Sequence, residues 1–351
     1  TVFSYTLVII DTGGKMGIKI IRNNKLWMEE EAILHLEKIA HFDGVEDVVG
    51  LPDLHESKVP VGMTVKSKDV IYPFLIGNDI GCGMSLFDTN IKLKKFNTEK
   101  YVKKLSNTKL IGKYSIGGGN HFAEYQKIEK IFNKEEAKKI NLHQNHLFML
   151  VHSGSRKLGD NIYREYASLE GLTVGSREFK KYLVLHQKAV EYARENRIGV
   201  VNALMDKIEV KYDNHLIIDC MHNYLGYDDG YFYHHKGSIS ARSEYAVIAG
   251  SRGSYSYVVK CIPTEETLFS ISHGSGRKWA RNLCKGRLET KYKKDELKTT
   301  KLKSQVICDN QLLYEEATEA YKDIEDVIDT LLEYKTIELV ARLKPLVTYK
   351  C

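Results

Sequence analysis

Glycine-rich turns that carry histidine, cysteine, aspartate or asparagine recur along this sequence, each near a short apolar run. Glycine lets backbone N–H groups approach an anion closely and form concave anion-binding nests. Polar side chains on loops held by a rigid scaffold commonly serve a binding or catalytic site. The turns are Asn78–Gly83, Gly117–His121, His152–Arg156, Asp219–Asn223 and His273–Arg277. They are the first candidates for a site.

Metal binding is the simplest chemistry that these turns share. Histidine and cysteine suit borderline metals, aspartate suits hard ones, and a thiolate can bridge two ions. A lone histidine is more often a packed or capping residue, and a lone cysteine is more often a small buried hydrophobe. Together, however, these groups favour a binuclear site for Mn or Zn rather than Mg. The candidate ligands are Asp79, Cys82, His121, His152 and His222.

The turn His273–Arg277 offers nucleotide chemistry. Its backbone is able to hold a phosphate while His273 attacks phosphorus and Arg277 balances the charge. The pentapeptide alone favours an ordinary glycine turn that enters a helix at Lys278. The sequence has no Gly-x-x-x-x-Gly-Lys-Ser/Thr loop and no Gly-x-Gly-x-x-Gly after a strand, so neither a Walker-type nor a Rossmann site is predicted.

The composition indicates a folded protein with a modest positive charge. Of 351 residues, 43% are hydrophobic, which is enough to bury a sizeable core. The net charge of +6 favours a polyanionic partner without requiring one. Residues 285–303 contain eight Lys and Arg against three acids. A solvated surface and a nucleic-acid contact explain this segment equally well.

Cysteine usage and hydropathy predict a cytoplasmic protein with no membrane partner. The six cysteines are scattered without a CxxC pair, as expected in a reducing compartment. The longest apolar runs are only strand-sized, and no secretion signal is recognisable at the N-terminus.

The elements that must position the turns follow a mixed α/β or α+β pattern, predicted to form one domain over residues 1–351. Strands are predicted at 2–10, 18–21, 147–151 and 216–220, with a turn at Gly13-Gly14, and a final extended run at 337–349. Helical spacing is seen at 26–42, 134–139 and around 310–332. The stretch 176–205 is predicted to form two helices.

Taken together, these segments resemble the RtcB family of RNA ligases. The resemblance covers nearly the whole chain, and this many motifs in one order are highly specific. It implies a single α/β domain around a deep binuclear metal site that uses GTP and two Mn²⁺ ions. In family order the matching segments are Pro52–His55, Asn78–Gly83, Ser115–Glu124, His152–Gly159, Ala193–Arg197, His222-Asn223, His234–Arg242, Gly250–Val258, His273–Arg277 and Leu343–Pro345.

The resemblance also implies roles for individual residues. His273 corresponds to the histidine that receives GMP, and Asp53 to an acid implicated in a late step. The family's aspartate, bridging cysteine and three histidine ligands correspond to Asp79, Cys82, His121, His152 and His222. The residues matched to GTP or GMP binding are Asn120, Phe122, Glu124, Asn223, Ser251, Ser256, Gly274, Ser275, Gly276, Arg277, Tyr321 and Lys350.

The reaction implied by the resemblance joins an RNA 2′,3′-cyclic phosphate or 3′-phosphate end to a 5′-hydroxyl end, in tRNA splicing or RNA repair. Lys236, Arg242 and the basic segment 285–303 are candidates for RNA backbone contacts. An activating protein or a release-factor-like protein is a further possible partner. Two alternatives remain open, namely a metal-dependent phosphohydrolase or nuclease and a non-catalytic RNA-binding family member.

The sequence departs from the family pattern in places. Glu56-Ser57-Lys58 stands where the family usually has a glycine-rich stretch, and Arg252 stands where the nucleotide loop normally has Met. The first change bears on the late role implied for Asp53, and the Arg252 change is expected to alter contacts to RNA or guanosine.

Overall fold

The computed structural model describes residues 8–11, 17–110, 113–213 and 215–351, with the backbone alone at 8–11. Most of the predicted strand at 2–10 and the turn at Gly13-Gly14 lie outside these residues. The strands are β1 (Val8–Asp11), β2 (Gly17–Ile20), β3 (Val45–His55), β4 (Val61–Ser67), β5 (Val70–Ile71), β6 (Gly83–Lys92), β7 (Phe122–Ile131), β8 (His146–Ser153), β9 (Leu172–Thr173), β10 (Leu216–Met221), β11 (Asn223–Asp228), β12 (Tyr231–Lys236), β13 (Ser238–Ser240), β14 (Tyr245–Ile248), β15 (Ser256–Cys261), β16 (Ser270–Ser272), β17 (Gln305–Cys308) and β18 (Ile337–Lys350). The helices are α1 (Glu30–Ala40), α2 (Thr98–Ser106), α3 (Lys134–Lys139), α4 (Lys157–Tyr166), α5 (Arg177–Lys207), α6 (Arg281–Leu288), α7 (Asn310–Glu315) and α8 (Ile324–Glu333).

Two large sheets form the framework. One has the strand order β1-β2-β3-β4-β12-β11, and the other has the order β10-β6-β8-β7-β18-β15-β14, with β17 also paired to β18. Strand pairs β2–β3 and β17–β18 are parallel, whereas the other pairs of these two sheets are antiparallel. Apolar side chains from both sheets pack into one core cluster. The predicted mixed α/β class is confirmed.

Strand order explains why turns far apart in sequence meet. In the register of the second sheet, Gly83 at the start of β6 pairs with Ser153 at the end of β8 and with Met221 at the end of β10. Phe122 at the start of β7 pairs with His152. The neighbouring strands β10, β6, β8 and β7 therefore carry their polar turns to one edge of the sheet.

The prediction of two helices in 176–205 is wrong, because this stretch forms the single 31-residue helix α5. The Ser176 side chain accepts a hydrogen bond from the Phe179 N–H and caps the helix start. Gly199 does not break the helix, since the Tyr114 ring packs against it and would meet a Cβ at 2.2 Å. Buried residues occur from Phe179 to Met205, so tertiary packing supports the whole length.

Other predicted elements were shorter than expected. The predicted helix at 26–42 is α1 alone, and the helical region around 310–332 consists of α7 and α8. No helix in the described residues is long and apolar enough to span a bilayer.

Candidate functional site

A deep cavity of about 1230 Å³ opens where the polar turns converge. All five turns identified in the sequence contribute to its wall, the turn 219–223 through His222 and Asn223. The cavity lies beside the edge of the second sheet, and the end of β3 from the first sheet contributes His55 to its wall. The two sheets therefore build this site together.

Cys82 lies at the centre of a buried group of metal-binding side chains. Its Sγ atom is 3.2 Å from Nε2 of both His121 and His152. Nε2 of His152 is also 3.2 Å from Nε2 of His222. Potential ligand atoms form two sets, Cys82 with His152 and His222, and Cys82 with Asp79 and His121. A sulfur ligand common to both sets is placed to bridge two cations, which fits a binuclear metal site.

The charge states of two of these histidines suit cation binding. Burial, followed by the charge of His121, lowers the pKa of His152 well below its usual value. Burial and the charge of His273 have the same effect on the pKa of His222. Both imidazoles are therefore neutral at physiological pH and present lone pairs. Nδ1 of His222 is buried and has no hydrogen-bond partner among the described residues.

Asp79 and His121 complete one side of the cluster through specific contacts. Asp79 Oδ2 lies 2.9 Å from Nε2 of His121. Asp79 Oδ1 accepts a hydrogen bond from the backbone N–H of Arg156 at 3.0 Å. Arg156 has a positive φ of 59°, a backbone conformation that residues other than glycine rarely adopt. The donor set of one carboxylate, one thiol and three imidazoles fits Mn or Zn.

A buried polar layer behind the cluster holds the turns in place. Arg197, on α5, is fully buried and donates to the carbonyl oxygens of Gly81 and Ser153 at 2.8 and 2.9 Å. The neighbouring Asn196 binds the carbonyl oxygens of Ser115 and Gly154 at 3.0 and 3.3 Å. Arg156, Asn196 and Arg197 lie in segments that resemble the family, but sequence reasoning gave them no role.

His273 lies next to this cluster, with its ring centroid 4.5 Å from that of His222. Its Nδ1 atom is 2.6 Å from Asp53 Oδ2 and 2.7 Å from the Gly237 carbonyl oxygen. Since both neighbours are acceptors, Nδ1 carries the proton and Nε2 keeps its lone pair in the neutral ring. The backbone N–H of His273 also donates to Asp53 Oδ2 at 3.1 Å. Asp53 is fully buried and fixes both the tautomer and the orientation of His273.

A buried lysine, which the sequence did not predict, supports the Asp53–His273 pair. Lys322 donates from Nζ to the carbonyl oxygens of Pro52 and Leu54 at 3.2 and 2.5 Å, on either side of Asp53. Its backbone N–H donates to the Gly276 carbonyl oxygen at 3.0 Å. Burial lowers the pKa of Lys322 to about 8. The residue thus links the chain that carries Asp53 to the turn that carries His273.

Glu316 contacts several side chains of the cavity wall, and the sequence did not predict a role for it either. This side chain is 3% exposed and lies 3.0 Å from Nη1 of Arg277 and 3.4 Å from Nζ of Lys350. The Tyr321 hydroxyl donates to Glu316 at 2.5 Å, and the Arg277 guanidinium lies 4.9 Å from the Tyr321 ring centroid. Three predicted nucleotide-binding side chains therefore share one buried carboxylate. Glu316 lies in a helical stretch without a glycine turn, so no local signal marked it.

Most of the remaining predicted site residues also line the cavity. They are Asn120, Phe122, Glu124, Asn223, Lys236, Ser251, Gly274, Ser275 and Gly276. Gly276 has a φ of +68° and lies so close to the Asp53 backbone that a Cβ would be 2.3 Å from its carbonyl oxygen. The helix expected at Lys278 begins at Arg281, as α6.

The cavity wall does not include three of the predicted residues, namely Asp53, Ser256 and Arg242. Ser256 is buried, and its Oγ accepts a hydrogen bond from the Gly250 N–H at 3.2 Å. Arg242 is 2.5 Å from Asp228 Oδ2 and 3.7 Å from the Phe269 ring centroid. Its proposed RNA contact would have to lie away from the cavity. Arg252, which departs from the family pattern, lines the cavity and donates to the Leu313 carbonyl oxygen at 2.6 Å.

The fold and the cavity thus define a mixed α/β protein in which a Cys/His/Asp cluster lies beside an oriented histidine. A family model described as tRNA-splicing ligase RtcB matches residues 35–111 and 109–351. The RNA-splicing ligase RtcB2 of Escherichia coli is 39% identical over 94% of this chain and 94% of its own length. The RNA-splicing ligase RtcB homolog 1 of Entamoeba histolytica is 27% identical over 67% of this chain and 54% of its own length. The tRNA-splicing ligase RtcB of Methanocaldococcus jannaschii is 28% identical over 66% of this chain and 29% of its own length.

The matched family model and the similarity to the Escherichia coli protein cover most of the chain. The chain belongs to the RtcB family.

Proposed function

We propose that this protein is a GTP-dependent RNA ligase that joins a 2′,3′-cyclic phosphate or 3′-phosphate RNA end to a 5′-hydroxyl end through guanylated His273. The relatives named as splicing ligases support the RNA-joining activity. The main support for a histidine intermediate is the position of His273. Asp53 Oδ2 orients its ring from 2.6 Å, and the ring lies next to the metal-binding cluster.

The cluster is suited to two cations held by Asp79, Cys82, His121, His152 and His222. Bound Mn²⁺ would supply charge neutralisation at phosphate oxygens and help to align the reacting groups. The buried neutral imidazoles and the shared Cys82 thiol support this assignment.

His273 acts as the nucleophile in the proposed reaction. Its Nε2 lone pair attacks the α-phosphorus of GTP, a P–N bond forms, and the bond to pyrophosphate breaks. Asp53 holds the Nδ1 proton and stabilises the positive charge that develops on the ring. The buried contacts of His273 with Asp53 and Gly237 keep Nε2 directed away from these acceptors, so the ring does not need to reorient before attack.

The guanylyl group then passes from His273 to the RNA 3′-phosphate. A 2′,3′-cyclic phosphate yields this group when water adds to phosphorus and the bond to the 2′-oxygen breaks. The 5′-hydroxyl of the second RNA attacks that activated phosphate, a phosphodiester forms, and GMP leaves. Glu124, Phe122, Tyr321 and Lys350 line the proposed nucleotide site. An activating protein or a release-factor-like partner stays a prediction from the family resemblance.

Covalent labelling tests the proposal. Incubation with Mn²⁺ and GTP labelled at the α-phosphate should give protein-bound GMP that is stable to denaturation but labile to acid, as expected of a phosphoramidate. The His273→Ala variant should lose the label, whereas His41→Ala, at an exposed histidine that does not line the cavity, should keep it.

The alternatives make different predictions in the same assay. Label retained by His273→Ala would refute the assignment. Metal-dependent RNA cleavage that needs no GTP would favour a phosphohydrolase or nuclease. RNA binding without labelling or joining would indicate a non-catalytic family member.

A further inference from the structure

A second cavity, of about 410 Å³, adjoins the catalytic cavity between α6 and α7. The two cavities share Arg281 and Asn282 in their walls. The second one is a groove between α6, Lys294 in the chain after α6, and α7. It therefore gives an extended ligand a route along the surface to the reacting groups.

The charge of this groove is positive. Its wall contains the cations Arg281, Lys285 and Lys294 and a single acid, Glu315. Gln311 donates to Glu315 at 2.6 Å, and Lys285 lies 3.8 Å from Glu289 with both side chains largely exposed. Among the described residues, no acid lies within ion-pair distance of Lys294. Exposed pairs such as Lys285–Glu289 contribute little, so both lysines are available to an anion.

Arg281 connects the groove to the catalytic cavity. Its Nη2 donates to Asn120 Oδ1 at 3.4 Å, and its Nε lies 3.7 Å from Glu316 Oε1. Its guanidinium also lies against Gly119, where a Cβ would be 2.5 Å from Nη1. Asn120 and Glu316 belong to the catalytic cavity, so Arg281 contacts catalytic-cavity residues while lining the groove.

We propose that this groove binds the phosphodiester backbone of the RNA strand whose end reacts in the catalytic cavity. The inference rests on the proposed function. It identifies the surface along which the RNA strand extends away from the reacting groups. Three cations in the wall attract a negatively charged phosphodiester backbone, and Asn310 and Gln311 add neutral hydrogen-bonding groups. Tyr314 is the aromatic residue of the wall, but it is buried and its hydroxyl donates to the Tyr292 carbonyl oxygen at 3.2 Å. The groove therefore recognises the backbone and offers no platform for base stacking.

The structure also divides the basic segment 285–303 into two parts. Of its eight cations, Lys285 and Lys294 line the groove, whereas Lys291 and Lys301 are exposed and line neither cavity. This division provides a matched pair of double substitutions with the same change of charge in the same segment.

The experiment measures binding of a short, single-stranded RNA with a 3′-phosphate over a series of salt concentrations. Lys285→Ala with Lys294→Ala should weaken binding by roughly an order of magnitude at low salt. It should also reduce the steepness of log K against log salt by about 1.4, as expected for two lost phosphate contacts on a single strand. Lys291→Ala with Lys301→Ala should have a much smaller effect on both quantities.

Equal losses of RNA affinity in the two double variants would contradict RNA binding in the groove, because they would show a diffuse charge effect. Unchanged RNA binding by the Lys285/Lys294 variant would also contradict the proposal. Labelling of His273 by GTP without RNA should be the same in both variants and in the parent. A parent protein that binds RNA as described but takes no label would contradict the proposed function while leaving the groove supported.

Discussion

Two buried carboxyl groups near the cavity have pKa values shifted in opposite directions. Burial alone would raise the pKa of Asp53, but the hydrogen bond and charge of His273 hold it below its usual value. Burial raises the pKa of Glu124 to about 7, despite hydrogen bonds from Thr348 and Gln126 that favour the ionised form. Asp53 is therefore ionised at neutral pH, whereas Glu124 is about half protonated.

The residue Glu124 gives a prediction for the pH dependence of stability. In the unfolded chain its pKa is near 4.5, so between about pH 4.5 and 7 the native state binds more protons than the unfolded state. The contribution of Glu124 to the free energy of unfolding should fall through this window, by up to about 3 kcal/mol, and stay low above it. Glu124→Gln should remove this fall.

Urea unfolding at several pH values measures the effect as the difference between parent and variant. Glu135→Gln, at an exposed position on α3, is the matched control and should leave the pH dependence unchanged. If the Glu124 and Glu135 variants follow the same curve as the parent, Glu124 does not have the raised pKa.

At the scale of elements, α5 aligns the strands that carry the metal-binding turns. The Arg197 guanidinium binds Ser85 of β6 at 2.7 Å, Asp219 of β10 at 2.9 Å and the Ser153 carbonyl of β8 at 2.9 Å. These strands lead to Cys82, His222 and His152. One buried cation therefore sets the relative position of three turns, which explains why a long helix without a ligand of its own matters to the site.

Substitution of Arg197 should destabilise the folded protein because it leaves Asp219 without its buried partner. We expect Arg197→Met to lower the free energy of unfolding by about 3–5 kcal/mol. Arg194 provides the control, since it lies 3.6 Å from the same carboxylate but its side chain is 61% exposed. Arg194→Met should cost less than about 1 kcal/mol. Similar losses for the two variants in urea unfolding would show that Arg197 does not have this role.

At the scale of the whole molecule, the cavity joins parts of the chain that are remote in sequence. The metal-binding cluster is built on the second sheet, while Asp53 belongs to β3 of the first sheet and His273 follows β16. A cation that binds only this assembled arrangement must stabilise the entire fold, since the unfolded chain does not present the same set of ligands.

Mn²⁺ should therefore raise the melting temperature of the parent protein. At a concentration 100 times Kd the stabilisation should be about 2.7 kcal/mol. Cys82→Ala combined with His152→Ala should remain folded but lose both this shift and Mn²⁺ binding, followed by electron paramagnetic resonance. Cys351→Ala combined with His41→Ala removes the same two residue types elsewhere and should keep both. A folded Cys82/His152 variant with full Mn²⁺ affinity would show that the cluster does not bind the metal. Global unfolding of this variant would instead indicate that Cys82 and His152 are core residues.

Much of this site was predictable because residue type and glycine turns are local properties of a chain. The candidates Asp79, Cys82, His121, His152 and His222 were found without knowledge of the strand order, and the mixed α/β class followed from the pattern of short strands and helices. The motifs in family order also led to His273 and Asp53. Their roles stay predictions until tested, but their proximity is a property of the fold.

Tertiary structure alone decided which distant segments meet. The order β10-β6-β8-β7 places His222, Cys82, His152 and His121 side by side, and packing along its length makes α5 one helix rather than two. Glu316 and Lys322 acquire their contacts only when α7 and the turn before α8 pack against the cavity. Arg242 is likewise directed to Asp228, away from the cavity. These outcomes depend on strand pairing and burial between segments far apart in sequence. No local pattern of residues determines the free energy of such contacts.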